Sequence, residues 1–130
     1  MFILEIKSSR SEEFIDITGA LQKIAAENGW NGGAIHLYCQ HTTCGLTINE
    51  GADPAVKADL TKFFQSVAPR DGGWAHAEGN SDAHIRSSVL GVSLLIPLVD
   101  GSLGLGTWQR VYLYEGDGPR RRSLLVQLLS

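Results

Sequence analysis

The sequence predicts an α+β domain dominated by antiparallel sheet, with two or three helices. Three observations carry this reading. Several short segments, Phe2 to Lys7 and Ala34 to Gln40 among them, alternate side chains at the two-residue period of a strand. Two others, after Thr18 and after Asp53-Pro54, repeat apolar residues at helical spacing. The junction Asp100-Gly101 is a hairpin dipeptide, which points to neighbouring strands that run antiparallel.

The elements follow in order along residues 1–130, read as one domain. Phe2 to Lys7 is a strand with one face less polar than ideal. Thr18 is a plausible N-cap for a helix with Leu21, Ile24 and Ala25 on its apolar stripe, ending near Gly29. Ala34 to Gln40 sets Ile35, Leu37 and Cys39 against His36, Tyr38 and Gln40, and Leu46 with Ile48 marks a second, paired strand. Asp53-Pro54 opens a helix with an N-cap carboxylate and a proline at the first helical position. Its stripe is Val56, Leu60, Phe63, Phe64 and Val67, and Pro69 stops it. Asp71 to His84 has no periodicity and holds three glycines, the mark of a functional loop. Asn80 or Ser81 can cap a short helix through Ile85, Val89 and Leu90 to Gly91. Val92 to Val99, Trp108 to Tyr114 and Ser123 to Leu129 complete the strands, with a turn at Gly116-Asp117-Gly118-Pro119.

Composition narrows the function classes. At 43% hydrophobic and 19% charged the chain is globular. A net charge of −3 argues against a nucleic-acid partner, which normally requires a basic excess. No apolar run is long enough for a membrane helix. Met1-Phe2-Ile3-Leu4-Glu5 lacks the basic start of a secretory leader, so a cytoplasmic location is expected. Cys39 and Cys44 cannot form a disulfide framework.

Chemistry concentrates in a few places. His41 ends a strand, and His76 and His84 lie in or beside the glycine-containing loop. Imidazole is both the usual acid–base group at neutral pH and the commonest metal ligand. Three such rings with an open fourth position would form a catalytic metal site, but their spacing matches no compact metal motif, and backbone-bonded loop histidines are the alternative. Asn80-Ser81-Asp82 reads as a helix cap, or as an anion site that Gly79 leaves open to close approach. Glu50 and Glu78 are candidate bases or simply solvated carboxylates. Cys44 reads as a small buried packing residue, and Ser81 with Asp82 and a histidine is a weak triad. The glycines of Gly101 to Gly106 suit hairpin geometry better than a nucleotide loop. Arg120-Arg121-Arg122 reads as a solvated strand start that could hold a phosphate. Trp108-Gln109 offers a stacking surface and an amide, or a core tryptophan.

Taken together, three motifs resemble the YjbQ family. They are His41-Thr42-Thr43 with Leu46-Thr47-Ile48-Asn49-Glu50 and Ala52-Asp53-Pro54; His76-x-Glu78-Gly79-Asn80-Ser81-Asp82-Ala83-His84; and Gly106-Thr107-Trp108-Gln109. The resemblance implies a small β-rich sandwich with flanking helices that assembles as a homotrimer. It also implies a metal, zinc or another divalent transition metal, on His41, His76 and His84. It places Glu50, Asn80 and Asp82 near that metal; on this basis Glu50 and Asp82 are candidate catalytic groups, and Gly79, Asn80, Ser81, Trp108 and Gln109 candidate contacts to a phosphorylated small-molecule ligand. The activity implied is a secondary thiamine-phosphate synthase reaction, with metal-dependent hydrolysis or a non-catalytic binding role as alternatives. Cys44-Gly45, Trp74 and Ala77 depart from the family pattern and bear on ligand specificity.

Overall fold

A computed structural model describes residues 1–130. Its strands are β1 (Phe2–Lys7), β2 (Glu13–Asp16), β3 (Ala34–Cys39), β4 (Cys44–Glu50), β5 (Ser93–Val99), β6 (Ser102–Leu103), β7 (Gln109–Glu115) and β8 (Arg121–Leu129). The helices are α1 (Thr18–Glu27), α2 (Pro54–Val67) and α3 (Ser81–Leu90). All strand pairings are antiparallel. One sheet runs β1-β8-β3-β5-β6 and the other β2-β7-β4. The expected β-rich sandwich with flanking helices is the fold. No helix is long and apolar enough to cross a membrane.

The alternating pattern of the strands builds the core. Ile35, Leu37 and Cys39 of β3, Ile96 and Leu98 of β5, and Leu124 and Val126 of β8 point inward from the larger sheet. They meet Cys44 and Leu46 of β4 and Val111 and Leu113 of β7 from the smaller one. Leu21 and Ala25 of α1 belong to the same cluster. Each buried apolar side chain contributes roughly 1.5–3 kcal/mol, which makes this two-sided interior the main stabilising element.

Several local expectations are corrected. Thr18 is the first residue of α1 and not its cap; the Asp16 carboxylate accepts its backbone N–H at 2.9 Å. Thr18 is turned inward instead, where its hydroxyl accepts the Val111 N–H at 2.8 Å. Of the α2 stripe only Phe64 is buried, packed on Phe14 and Tyr114, while Phe63 and Val67 are exposed. Helix α3 starts at Ser81, so His84 is helical and only the preceding residues are loop. Strands β2 and β6 are too short to show a period. The β5–β6 hairpin turns at Asp100 (φ 50°) and Gly101 (φ 82°), two consecutive positive values that suit the twist of a tight hairpin.

Candidate functional site

Strand β3 ends at Cys39 and β4 starts at Cys44, so Gln40 to Thr43 must cross from one sheet to the other. The start of β8 holds this crossing. The Ser123 backbone N–H donates to His41 Nε2 at 3.1 Å, and Arg122 Nη2 donates to Thr43 Oγ1 at 2.8 Å. Arg122 is itself fixed by Glu115, its Nε lying 2.9 and 3.1 Å from the two carboxylate oxygens. This ion pair is fully inside: Glu115 is 0% exposed and Arg122 3%. The Ser8 hydroxyl and the Asp117 N–H donate to the same carboxylate at 2.6 and 3.0 Å. Burial pushes the Glu115 pKa up, but these bonds, Arg122 foremost, outweigh it and leave it lowered.

The N-terminus of α3 faces the crossing. Asn80 occupies the cap position without capping the helix through its side chain; its amide donates to Asp117 Oδ2 at 2.9 Å. Arg120 donates to the same oxygen at 3.0 Å. The cap expected of this side chain is thus replaced by a tie to the β7–β8 turn. Between these parts lies a depression of about 350 Å³ with no apolar residue in its wall, bounded by His41, Thr42, Thr43, His84, Arg120 and Arg122, with Glu78 as its one carboxylate and Gln40 and Asn80 completing it. A second hollow of about 400 Å³ also borders on His41, Thr42 and His84, so the two rings stand between two openings.

The histidines gather in part. His76 packs edge-to-face on His84, with ring centroids 5.3 Å apart, and its Nε2 is 3.6 Å from Glu78. His41 shares both hollows with His84. Accepting a bond at Nε2 fixes His41 as the tautomer that carries its proton on Nδ1. Burial first, and then the Arg122 charge, lower its pKa and favour that neutral ring. Three imidazoles suit a divalent transition metal by type. By distance the set is open: no three His, Cys, Asp or Glu side chains are close enough to form a ligating group.

The other candidates lie elsewhere. Asp82 is buried and faces Arg86 at 3.7 Å, in a cluster where Arg86 also bonds Glu12, Tyr114 and the Ala68 carbonyl. Glu50 pairs with Gln109 at one end of the β4–β7 ladder, whereas Cys44 pairs with Glu115 at the other. Six residue steps put Glu50, Trp108 and Gln109 about 20 Å from the histidine end. Trp108 is 63% exposed, so the core-tryptophan reading does not hold. Gly79 (φ 77°) leads into α3 and Ser81 opens it.

A model of the family described as UPF0047 protein YjbQ-like matches residues 3–130. The chain belongs to the YjbQ family. It is 43% identical to a UPF0047 protein of Methanocaldococcus jannaschii over 130 residues, covering 100% of this chain and 94% of that one. It is also 43% identical to the UPF0047 protein YugU of Bacillus subtilis, covering 98% and 97%. A crystal structure of an uncharacterised YjbQ/UPF0047 protein from Clostridium acetobutylicum superposes with a TM-score of 0.95 at 43% identity, over 99% of this chain and 100% of that one. A conserved hypothetical protein from Thermus thermophilus gives 0.92 at 42%, with coverage of 99% and 100%.

Within this YjbQ-family chain, sequence reasoning assigns no role to Glu115 and no separate one to Thr43, and it reads the triple arginine as solvated. The arginines are not uniformly so: strand alternation turns Arg122 inward while Arg121 stays exposed. The available signal was Glu115, a carboxylate ending the otherwise apolar run Val111 to Tyr114, which calls for a buried cation.

Proposed function

We propose that this YjbQ-family chain is an enzyme acting on a phosphorylated small molecule whose phosphate sits in the depression between the His41–Thr43 crossing and the start of α3. The observation that supports this is the wall itself: two imidazoles, two threonine hydroxyls, two guanidiniums and the amides of Gln40 and Asn80 converge with no apolar residue between them, against a single carboxylate, Glu78. Arg120 contributes a forked N–H donor suited to a phosphate. His41 presents the Nδ1–H left by its bond to Ser123, and the first turn of α3 adds its partial positive charge. His84, on the same wall, is placed to give or take a proton.

The family resemblance adds zinc or another divalent transition metal on His41, His76 and His84. Such an ion would stabilise charge on a departing phosphate or lower the pKa of a water. The ring types support it, and the open spacing means that the rings must draw together to bind. Displacement of pyrophosphate of the thiamine-phosphate synthase kind, in which a thiazole nitrogen takes its place at the pyrimidine methylene carbon, and hydrolysis use the same groups. A homotrimer belongs to the same proposal and would let Trp108 and Gln109 of one copy approach another copy's ligand.

A non-catalytic phosphate-binding module is the second reading, favoured by Asp82, which is engaged with Arg86 and not with the depression. Turnover separates the two. Purified, untagged protein is assayed for zinc and for reaction with phosphorylated heterocycles, including the joining of a pyrimidine methyl diphosphate to a thiazole phosphate. The enzyme reading expects activity lost in His84→Ala; binding of phosphate with no turnover by metal-replete protein would leave the module.

A further inference from the structure

The cluster around Arg86 opens onto a hollow of its own, about 290 Å³ in volume. Glu12, Arg70, Asp82 and Arg86 supply its charged groups, and Ser11 and Gln65 further polar ones. Pro69 and Gly116 complete the wall, which shares no residue with the two hollows at His41.

The polar groups of this cluster are only partly satisfied. Arg86 is 4% exposed; its Nη1 donates to Glu12 and to Tyr114 Oη at 3.0 Å, and its Nη2 to the Ala68 carbonyl at 2.9 Å. Its Nε–H is buried without a partner. Glu12 has three donors, since Tyr114 and Gln65 also bond to it, at 2.5 and 3.0 Å. Asp82 has none. It is 6% exposed, and its Oδ2 stands 3.7 Å from Arg86 Nη1, beyond hydrogen-bond reach. A carboxylate so well covered normally has donors of its own, and here one buried guanidinium faces two carboxylates. On the same wall Arg70 is exposed and makes no ion pair.

We propose that this hollow binds a small polar α-amino acid, its ammonium on Asp82 and its carboxylate between Arg86 Nε and Arg70. The site is independent of the phosphate reading above. The ammonium brings three donors to a carboxylate that has none, and balances the second negative charge of the cluster. The carboxylate brings the acceptor that Nε lacks, and Arg70 adds a forked donor. Nε and Nη1 belong to one rigid guanidinium, so the free donor and the free carboxylate are near neighbours. That spacing favours a ligand whose two charged groups share one carbon over one that carries them at the ends of a chain. Pro69 is the one apolar side chain of the wall, so a hydroxyl or amide side group finds its partners in Ser11 and Gln65.

Calorimetric titration of the full chain with L-serine and with L-glutamine tests this. The N-acetyl and methyl ester forms of each serve as probes that lack one charge. Saturable binding of at least one amino acid is expected, with both of its blocked forms at least about tenfold weaker. Asp82→Asn, which keeps the shape of the side chain, should weaken that binding at least about tenfold. Arg70→Ala removes an exposed group without bonds in the fold, so its melting temperature should stay unchanged while affinity falls about threefold. Binding of neither amino acid, equal binding of a blocked form, or an affinity unchanged in the folded Arg70→Ala protein would overturn the proposal. So would methylammonium or zinc alone binding as tightly as the amino acid and competing with it, which would make Asp82 a simple cation site.

Discussion

Ser123 holds His41 by donating its backbone N–H to Nε2 at 3.1 Å, so a strand in one sheet sets the tautomer of a ring on the crossing to the other. The bond leaves Nδ1–H as the only proton that the neutral ring can present to the depression. It also gives the imidazole a pH dependence that can be measured.

Burial, then Arg122, lower the folded-state pKa of His41 below its ordinary 6.5. Below about pH 6.5 the unfolded chain therefore binds more protons than the folded one, and stability falls as pH drops toward the folded value. In His41→Gln, whose amide oxygen can still accept from Ser123, this part of the slope should vanish. Urea denaturation from pH 5 to 7.5 checks it, and an unchanged slope would show that His41 is not the group responsible.

The Glu115–Arg122 pair should behave as a buried ion pair. Glu115→Gln leaves the Arg122 charge uncompensated in the interior, and a loss of about 3–5 kcal/mol is expected. Because Glu115 has a lowered pKa, its contribution is present above about pH 4.5 and is lost as pH falls through the folded value. Chemical denaturation of the variant at pH 7 and pH 4 measures both effects. A change under 1 kcal/mol at pH 7 would refute the pairing.

Two glycines should respond in opposite directions to alanine. Gly33 has φ 77°, and an added Cβ would lie 2.3 Å from the Leu129 carbonyl oxygen, so Gly33→Ala should cost about 2 kcal/mol or more. Gly19, in the first turn of α1, has nothing within 4 Å of such an atom, and Gly19→Ala should add about 0.5 kcal/mol. Thermal unfolding of the two proteins distinguishes them.

Arg120 is the one guanidinium of the depression not locked into the interior. Arg120→Ala should weaken inorganic phosphate binding about tenfold, with a smaller loss at high salt because its side chain is about half exposed. Calorimetry at two ionic strengths reads this directly.

The strands and helices with a long period were legible in the sequence because burial on one face dictates alternation: Ile35, Leu37 and Cys39 point inward as their spacing requires. Glu13–Asp16 and Ser102–Leu103 are too short to show a pattern. The family resemblance implied that His41, His76 and His84 gather; His76 packs on His84, and His41 borders the same depression as His84. Position along the chain could not show that Gln109 and Glu115, six residues apart, stand at opposite ends of one strand. Nor could it show that Asp82 turns to Arg86, because a helical residue can face any side of its axis.

Titration of ¹⁵N-labelled protein with inorganic phosphate tests the central claim most directly, because β7 separates the two groups of candidate residues. Amide shifts are expected at Thr42, Thr43, His84 and Arg120, whatever the response of Gly106 to Gln109. Shifts confined to the Gln109 end, or none at phosphate concentrations well above those of cells, would contradict it.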